Sequence, residues 1–172
     1  IDPFYRVEVD EVVGFNPQST GYRMPTEAEW EWVARTDGSG NTLKYPWGAE
    51  LPPPAKAGNF ADVTARSYLG EVMFDYDDGF LATSPVGSFT ANQNEIYDMA
   101  GNVAEWVHDF YGAVGSASGP EVDSQGPEDG QFHTIRGSSW AHGTLTELRL
   151  SFRDFGVEPR DDVGFRVARY LE

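Results

Sequence analysis

The chain contains no cysteine. That absence excludes disulfides, thiolate metal centres and a cysteine nucleophile within these residues, and it assigns no compartment. Positive charge is also scarce: 12 Lys and Arg stand against 28 Asp and Glu, for a formal charge of -16. A surface that acidic lacks the cation density needed to neutralise nucleic-acid phosphates or to adhere to an anionic membrane, so neither is expected as a partner. No apolar run approaches the roughly 18 residues of a membrane span, and no secretory leader is legible, so no membrane insertion by this chain is expected. The chain opens Ile1-Asp2-Pro3 rather than on a methionine, which reads as a piece of a longer polypeptide.

What is present is aromatic and turn-rich. Phe, Trp and Tyr make up 14% of the 172 residues while the mean hydropathy is -0.47, so large rings must supply much of the core inside a polar frame. The 19 Gly and 11 Pro point to many turns and little regular structure. The length suits one domain, and no internal repeat or domain-scale linker interrupts it. Excess carboxylate has two uses, solvation and calcium coordination.

Thr26-Glu-Ala-Glu29 is a capping box, in which the Thr26 hydroxyl accepts from the Glu29 amide and the Glu29 carboxylate reaches back. It predicts a helix over 27–35 that stops near Asp37-Gly38-Ser39-Gly40, where glycine is available for a left-handed cap. Trp30, Val33 and Ala34 share one face, Glu27 and Glu31 lie on another, and core packing accounts for the tryptophans. Proline makes the stretch from Tyr45 through Leu51-Pro-Pro-Pro54 to Phe60 irregular, and residues 112–130 read as an exposed loop. Residues 84–89 read as a short extended segment. Strands are expected at 103–107, 133–137 and 164–169, the last half-buried by its alternation.

Four blocks occur in order: Tyr22-Arg-Met-Pro-Thr-Glu-Ala-Glu-Trp-Glu-Trp32, Tyr97-Asp-Met-Ala-Gly-Asn-Val-Ala-Glu-Trp106, Ile135-Arg-Gly-Ser-Ser-Trp140 and Asp162-Val-Gly-Phe-Arg-Val-Ala-Arg169. They resemble the formylglycine-generating enzyme (sulfatase-modifying factor) family. The resemblance covers the chain from about Phe4 to Ala168, with Phe4 to Arg23 similar to the hairpin ahead of the family's helix. It implies an α+β, C-type lectin-like fold, loop-rich with few short strands and one or two helices. Residues 1–172 then form a single domain that lacks its N-terminal segment, and that segment is expected as a partner in completing the core.

The resemblance also implies structural Ca2+, one or two ions. One site would take the Asn59 side chain, the Phe60 carbonyl, the Asp78 carboxylate and the Phe80 carbonyl. The other would take Asp98, the Gly101 and Val103 carbonyls and Glu105, although Asp98 and Glu105 can equally cap turns. Hard oxygen donors suit calcium and disfavour copper or iron.

In the family's copper oxidases two cysteines follow the Gly-Gly-Ser-Trp/Tyr block. Here Ala141-His142-Gly143 follows Trp140, and Thr144 to Leu148 carries no thiol, so copper-dependent formylglycine formation is not expected. His142 can be a metal ligand, base or substrate contact, or an ordinary polar contact; His108 and His133 read as structural. The family's cleft implies ligand contact by Trp140, His142, Arg149 and Arg153, in a noncatalytic module binding a peptide or small molecule. Arg149 and Arg153 can instead pair with acidic loops. The alternative is a sulfoxide-synthase-like, metal-dependent oxidoreductase whose redox ligands lie outside this chain. A retroelement-diversified binder is disfavoured because residues 141–162 lack an Asn-rich tract.

Overall fold

Thr26 holds an extended backbone and its side chain accepts from the Glu29 amide at 3.2 Å, while Glu29 accepts from the Thr26 amide at 2.8 Å. The helix this starts, α1, spans Glu27–Arg35 as the capping box requires. Its end differs from expectation: Thr36 leaves in extended conformation and bridges Thr42, so no left-handed glycine cap is needed. The computed structural model describes residues 1–37, 39–113 and 122–171; Gly38 and the middle of the 112–130 loop lie outside them.

Ahead of α1, β1 (Tyr5–Glu8) and β2 (Glu11–Phe15) form an antiparallel hairpin. Its turn places Val9 and Asp10 at φ 51° and 67°, the left-handed pair that matches strand twist. A four-stranded sheet follows, in the order β5-β4-β3-β6, from β3 (Ala104–Phe110), β4 (His133–Arg136), β5 (Arg153–Gly156) and β6 (Val163–Phe165). Antiparallel ladders join β3 to β4 and β4 to β5, and β6 runs parallel to β3. The fold is the expected α+β one, with few short strands.

Along β3 the residues alternate, with Glu105, Val107 and Asp109 buried and Trp106, His108 and Phe110 partly exposed. The buried set faces α1: Trp30, Ala34, Val107, Met99 and Leu150 form one core cluster. Burial of each large side chain there stabilises by about 1.5–3 kcal/mol. A second cluster, of Tyr45, Phe60, Tyr76, Ala100 and Leu148, sits under the proline-rich loops. Rings therefore do carry the core.

Several local expectations need correction. Trp30 is 1% exposed but Trp32 is 63% exposed, because it projects from the opposite side of α1. Glu27 and Glu31 do not face water alone; both pair with Arg136, which is 1% exposed. Residues 84–89, expected as a short extended segment, contain a turn at Val86-Gly87. The final strand stops at Phe165, with Phe165 and Val167 turned outward and Arg166 inward, so the alternation holds with its facing reversed. Strand β5 is an addition to the expected set, since Arg-Asp-Phe-Gly offers no period to read.

Candidate functional site

Two loops, 58–62 and 76–82, bring together the residues of the first expected calcium site. Asp62 caps the 3-10 turn Val63–Ala65, accepting from the Thr64 amide at 2.8 Å, and its other oxygen accepts from the Asp78 amide at 2.5 Å. The Asp78 carboxylate then accepts from the Phe60 and Phe80 amides, both at 2.8 Å. Asn59 donates to the Ala82 carbonyl at 2.7 Å, and its buried Oδ1 has no donor among the described residues. Burial pushes the Asp78 carboxyl up to about 6, and the charges of Asp62 and Asp77 add to the push. Among the described residues neither Asp62 nor Asp78 has a basic partner.

An orphaned amide oxygen on loop 58–62 and two carboxylates on the same pair of loops, without a counter-charge among the described residues, are donors of the kind a hard cation takes. It would draw on an amide and carbonyls as well as carboxylate. Among the described residues no group of three or more His, Cys, Asp or Glu is placed to hold a metal. Asp62 escapes sequence reasoning; its only signal is an Asp ahead of Val-Thr-Ala, an ordinary cap pattern.

The second expected site is arranged differently. Glu105 accepts from Trp30 Nε1 at 2.7 Å and from Arg166 Nε and Nη2 at 2.6 and 2.5 Å, so a guanidinium already answers its charge. Asp98 accepts from the Gly87 amide at 2.7 Å, and its own carbonyl accepts from Arg166 at 3.1 Å. Gly101, at φ 75°, lies close against Asn59, and the two sets of residues are joined by a backbone contact, Asn102 N–H to Asn59 O at 2.8 Å. As arranged, this set fits a cation poorly, because Arg166 is one.

The ligand residues expected near the Gly-Ser-Ser-Trp block divide. Trp140 is buried, its amide donates to the Asn102 carbonyl, its ring lies 6.2 Å from that of Tyr68, and its Nε1 has no partner among the described residues. His142 Nδ1 accepts from the Ser139 amide at 3.1 Å, which leaves Nε2 as the nitrogen that carries the proton in the neutral ring. Its ring meets Phe152 edge-on at 5.7 Å. Arg149 is exposed and makes no side-chain ion pair among the described residues. Arg153 belongs elsewhere: it grips Glu27 at 2.6 and 2.8 Å, donates to the Gly112 carbonyl and lies over the Tyr111 ring. Tyr68 joins this site without any sequence signal.

His108 and His133 make packing and polar contacts. His108 pairs with the Tyr5 hydroxyl at 3.1 Å and His133 stacks on Phe110 at 4.5 Å. Both rings line a groove of about 880 Å³ between β3 and the hairpin, which none of Trp140, His142, Arg149 or Arg153 enters.

Residues 1–171 match the model of the sulfatase-modifying factor enzyme 1-like domain. The chain belongs to that family. It is 36% identical over 158 residues to a formylglycine-generating enzyme of Streptomyces coelicolor, an alignment covering 86% of this chain and 46% of that protein. It is 31% identical over 159 residues to the inactive C-alpha-formylglycine-generating enzyme 2 of Bos taurus, covering 86% and 44%. The solved structure of Treponema denticola variable protein 1 superposes with a TM-score of 0.68 at 27% identity, covering 91% of this chain and 50% of that one. This sulfatase-modifying-factor domain therefore spans about half the length of the curated relatives it matches. The expected C-type lectin-like architecture of the formylglycine-generating type is the fold observed, and the absence of cysteine agrees with the absence of the family's copper ligands.

Proposed function

We propose that residues 1–172 are the C-terminal part of a formylglycine-generating-type domain, stabilised by calcium and acting as a noncatalytic module for a peptide or small ligand. The observation that carries this reading is the segment after Ser139. Where the resemblance puts the copper oxidases' two thiolates, this chain has His142 and the thiol-free stretch Thr144 to Leu148, and the His142 Nδ1 is spent on the Ser139 amide. Soft Cu(I) has no thiolate here, and a histidine used to fix its own turn is poorly placed to replace one. Similarity to a relative named as inactive supports the same view.

Binding chemistry is nevertheless retained. The exposed Tyr68 ring, backed by the buried Trp140 ring, supplies an aromatic surface, and the exposed Arg149 guanidinium can engage a carboxylate. Calcium at Asn59, Phe60, Asp78 and Phe80 would supply a fixed positive charge that ties loops 58–62 and 76–82 together. One observation favours a second reading, a metal-dependent oxidoreductase: with about half of each relative outside the match, redox ligands have room beyond this chain.

The test is elemental analysis of the full-length protein purified without chelator, followed by tryptophan-fluorescence titration with short peptides bearing free or amidated C-termini. Calcium without copper or iron, and saturable binding of free carboxylates that Arg149→Ala weakens, are expected. Stoichiometric copper or iron with oxygen consumption would overturn the module in favour of the oxidoreductase.

A further inference from the structure

A pocket of about 360 Å³, of a size that takes a small molecule, opens between residues 46–57 and 89–100, and none of Asn59, Trp140, His142 or Arg149 lines it. Its apolar wall is Trp47, Phe89, Ile96 and Met99. That wall is held in place by the fold. Trp47 stacks on Tyr45 at 5.1 Å and its Nε1 donates to the Glu50 carbonyl at 2.8 Å, while the Thr90 amide donates to the Lys56 carbonyl at 3.1 Å and ties the two sides of the pocket together. Two opposite charges, Lys56 and Asp98, line the same pocket without pairing with each other, and neither joins any ion pair among the described residues. Asp98 Oδ2 accepts from the Gly87 amide at 2.7 Å, and Oδ1 has no partner among those residues. Both side chains stand on left-handed backbone, at φ 62° and 55°. Aspartate tolerates that region, but a lysine is uncommon there, and a position that glycine or asparagine would hold at less strain marks a side chain in use.

We infer that this pocket binds a free α-amino acid with an apolar side chain, its carboxylate on Lys56, its ammonium on Asp98 Oδ1 and its side chain against Trp47, Phe89, Ile96 and Met99. The pair of unanswered charges selects the ligand class. A simple anion would satisfy Lys56 and be repelled by Asp98, and a simple cation would do the reverse; a zwitterion answers both and carries no net charge into a chain of charge -16. A peptide brings one terminal charge at a time, so it matches the pocket less well than a free amino acid does. The flexible lysine stem lets the ammonium follow the carboxylate, whereas Asp98 is held by the Gly87 amide and fixes the other end. The site is separate from the surface around Tyr68 and Arg149 and does not rest on the function proposed for it.

The test is isothermal titration calorimetry of the full-length protein with L-leucine, L-methionine and L-phenylalanine, and with the N-acetyl and C-amide derivatives of each, which lack the ammonium and the carboxylate in turn. Saturable binding of at least one amino acid is expected, with each of its derivatives at least about tenfold weaker through loss of one charged hydrogen bond. Lys56→Asn and Asp98→Asn both suit a left-handed backbone, so the fold should survive them. Lys56→Asn should weaken the amino acid about tenfold and leave its amide unchanged; Asp98→Asn should weaken the amino acid likewise and leave its N-acetyl form unchanged. Comparing parent with derivative inside one variant keeps the test valid even where a variant shifts Tm. No binding by any of the three at about 10 mM, where a millimolar dissociation constant would show, overturns the inference. So does binding that the derivatives match, or that either variant leaves untouched. Arg149→Ala should leave amino-acid binding as it is; its loss there would place the ligand beside Tyr68 and overturn the assignment to this pocket.

Discussion

Arg166 closes on Glu105 from the sheet edge: its Nε lies 2.6 Å from the same oxygen that accepts Trp30 Nε1 at 2.7 Å. This joint ties β3, α1 and the segment after β6 at one buried carboxylate. Glu105→Gln keeps an acceptor for Trp30 but strands Arg166, so unfolding stability in urea should fall by about 3 kcal/mol. Arg166→Met should cost a similar amount without calcium. If added calcium restores that loss, Glu105 can serve a metal; if it does not, Glu105 is a structural counterion only.

Helix α1 depends on its cap. The Thr26 hydroxyl satisfies the Glu29 amide, and Glu29 is also held by Arg23 through two contacts of 2.6 Å. Thr26→Ala should lower stability by about 1 kcal/mol, with Thr26→Ser nearly neutral, as read by urea unfolding. Equal loss in both variants would mean that the methyl packing, and not the hydroxyl, matters.

Asp109 and His108 give opposite pH dependences from adjacent positions. Burial, reinforced by the charges of Glu27 and Glu29, raises the Asp109 carboxyl from 3.8 to about 6. The folded state thus holds its proton where the unfolded state has released it, and stability falls as pH rises from about 4 to about 6. Asp109→Asn should gain on the order of 1–2 kcal/mol at neutral pH and little near pH 4. Burial, with the charges of Arg23 and His133, lowers the His108 pKa below 6.5. Its contribution is complete above that value and is lost as pH falls through the folded pKa. His108→Gln should therefore flatten the acid limb that Asp109→Asn steepens, a difference visible in unfolding curves across that range.

Gly101 makes the tightest backbone approach near either candidate metal set. A Cβ there would meet the Asn59 carbonyl oxygen at 2.4 Å and its nitrogen at 2.7 Å, at φ 75°. Gly101→Ala should cost about 3 kcal/mol or more, measured by thermal or urea unfolding, because neither backbone can yield cheaply. A near-neutral result would show that loop 58–62 moves freely of the Tyr97 block.

These residues also show where the sequence was readable. The helix bounds followed from Thr26 and Glu29 because a capping box is a local, self-contained pattern. Strands β3 and β4 followed from short apolar runs next to motif residues. What failed was everything set by partners distant in the chain. Nothing near Arg153 announces Glu27, from which it is separated by 126 positions, and nothing near Tyr68 announces Trp140. The facing of β6 could not be read because Phe165 and Val167 look like core residues until the sheet edge is seen. The candidate calcium residues came from motif similarity, yet similarity alone could not separate a set with an orphaned oxygen from one already answered by arginine.

That separation gives the last prediction. Among the described residues Asn59 Oδ1 is buried without a donor, and the Asp62 and Asp78 carboxylates converge on the same loops without a counter-charge. Each of these costs folding free energy that a hard cation would offset. Calcium at about a hundred times its dissociation constant should stabilise the protein by about 2.7 kcal/mol. For a chain of this length that corresponds to a rise in Tm of about 5–10 °C. Chelation should reverse the rise, and Asn59→Ala or Asp78→Asn should abolish it. Glu105→Gln should keep it if the first site acts alone and halve it if the Tyr97 block also binds. A Tm unmoved by both chelator and calcium would leave the orphaned Asn59 oxygen to an ordered water and remove calcium from the account of this fold.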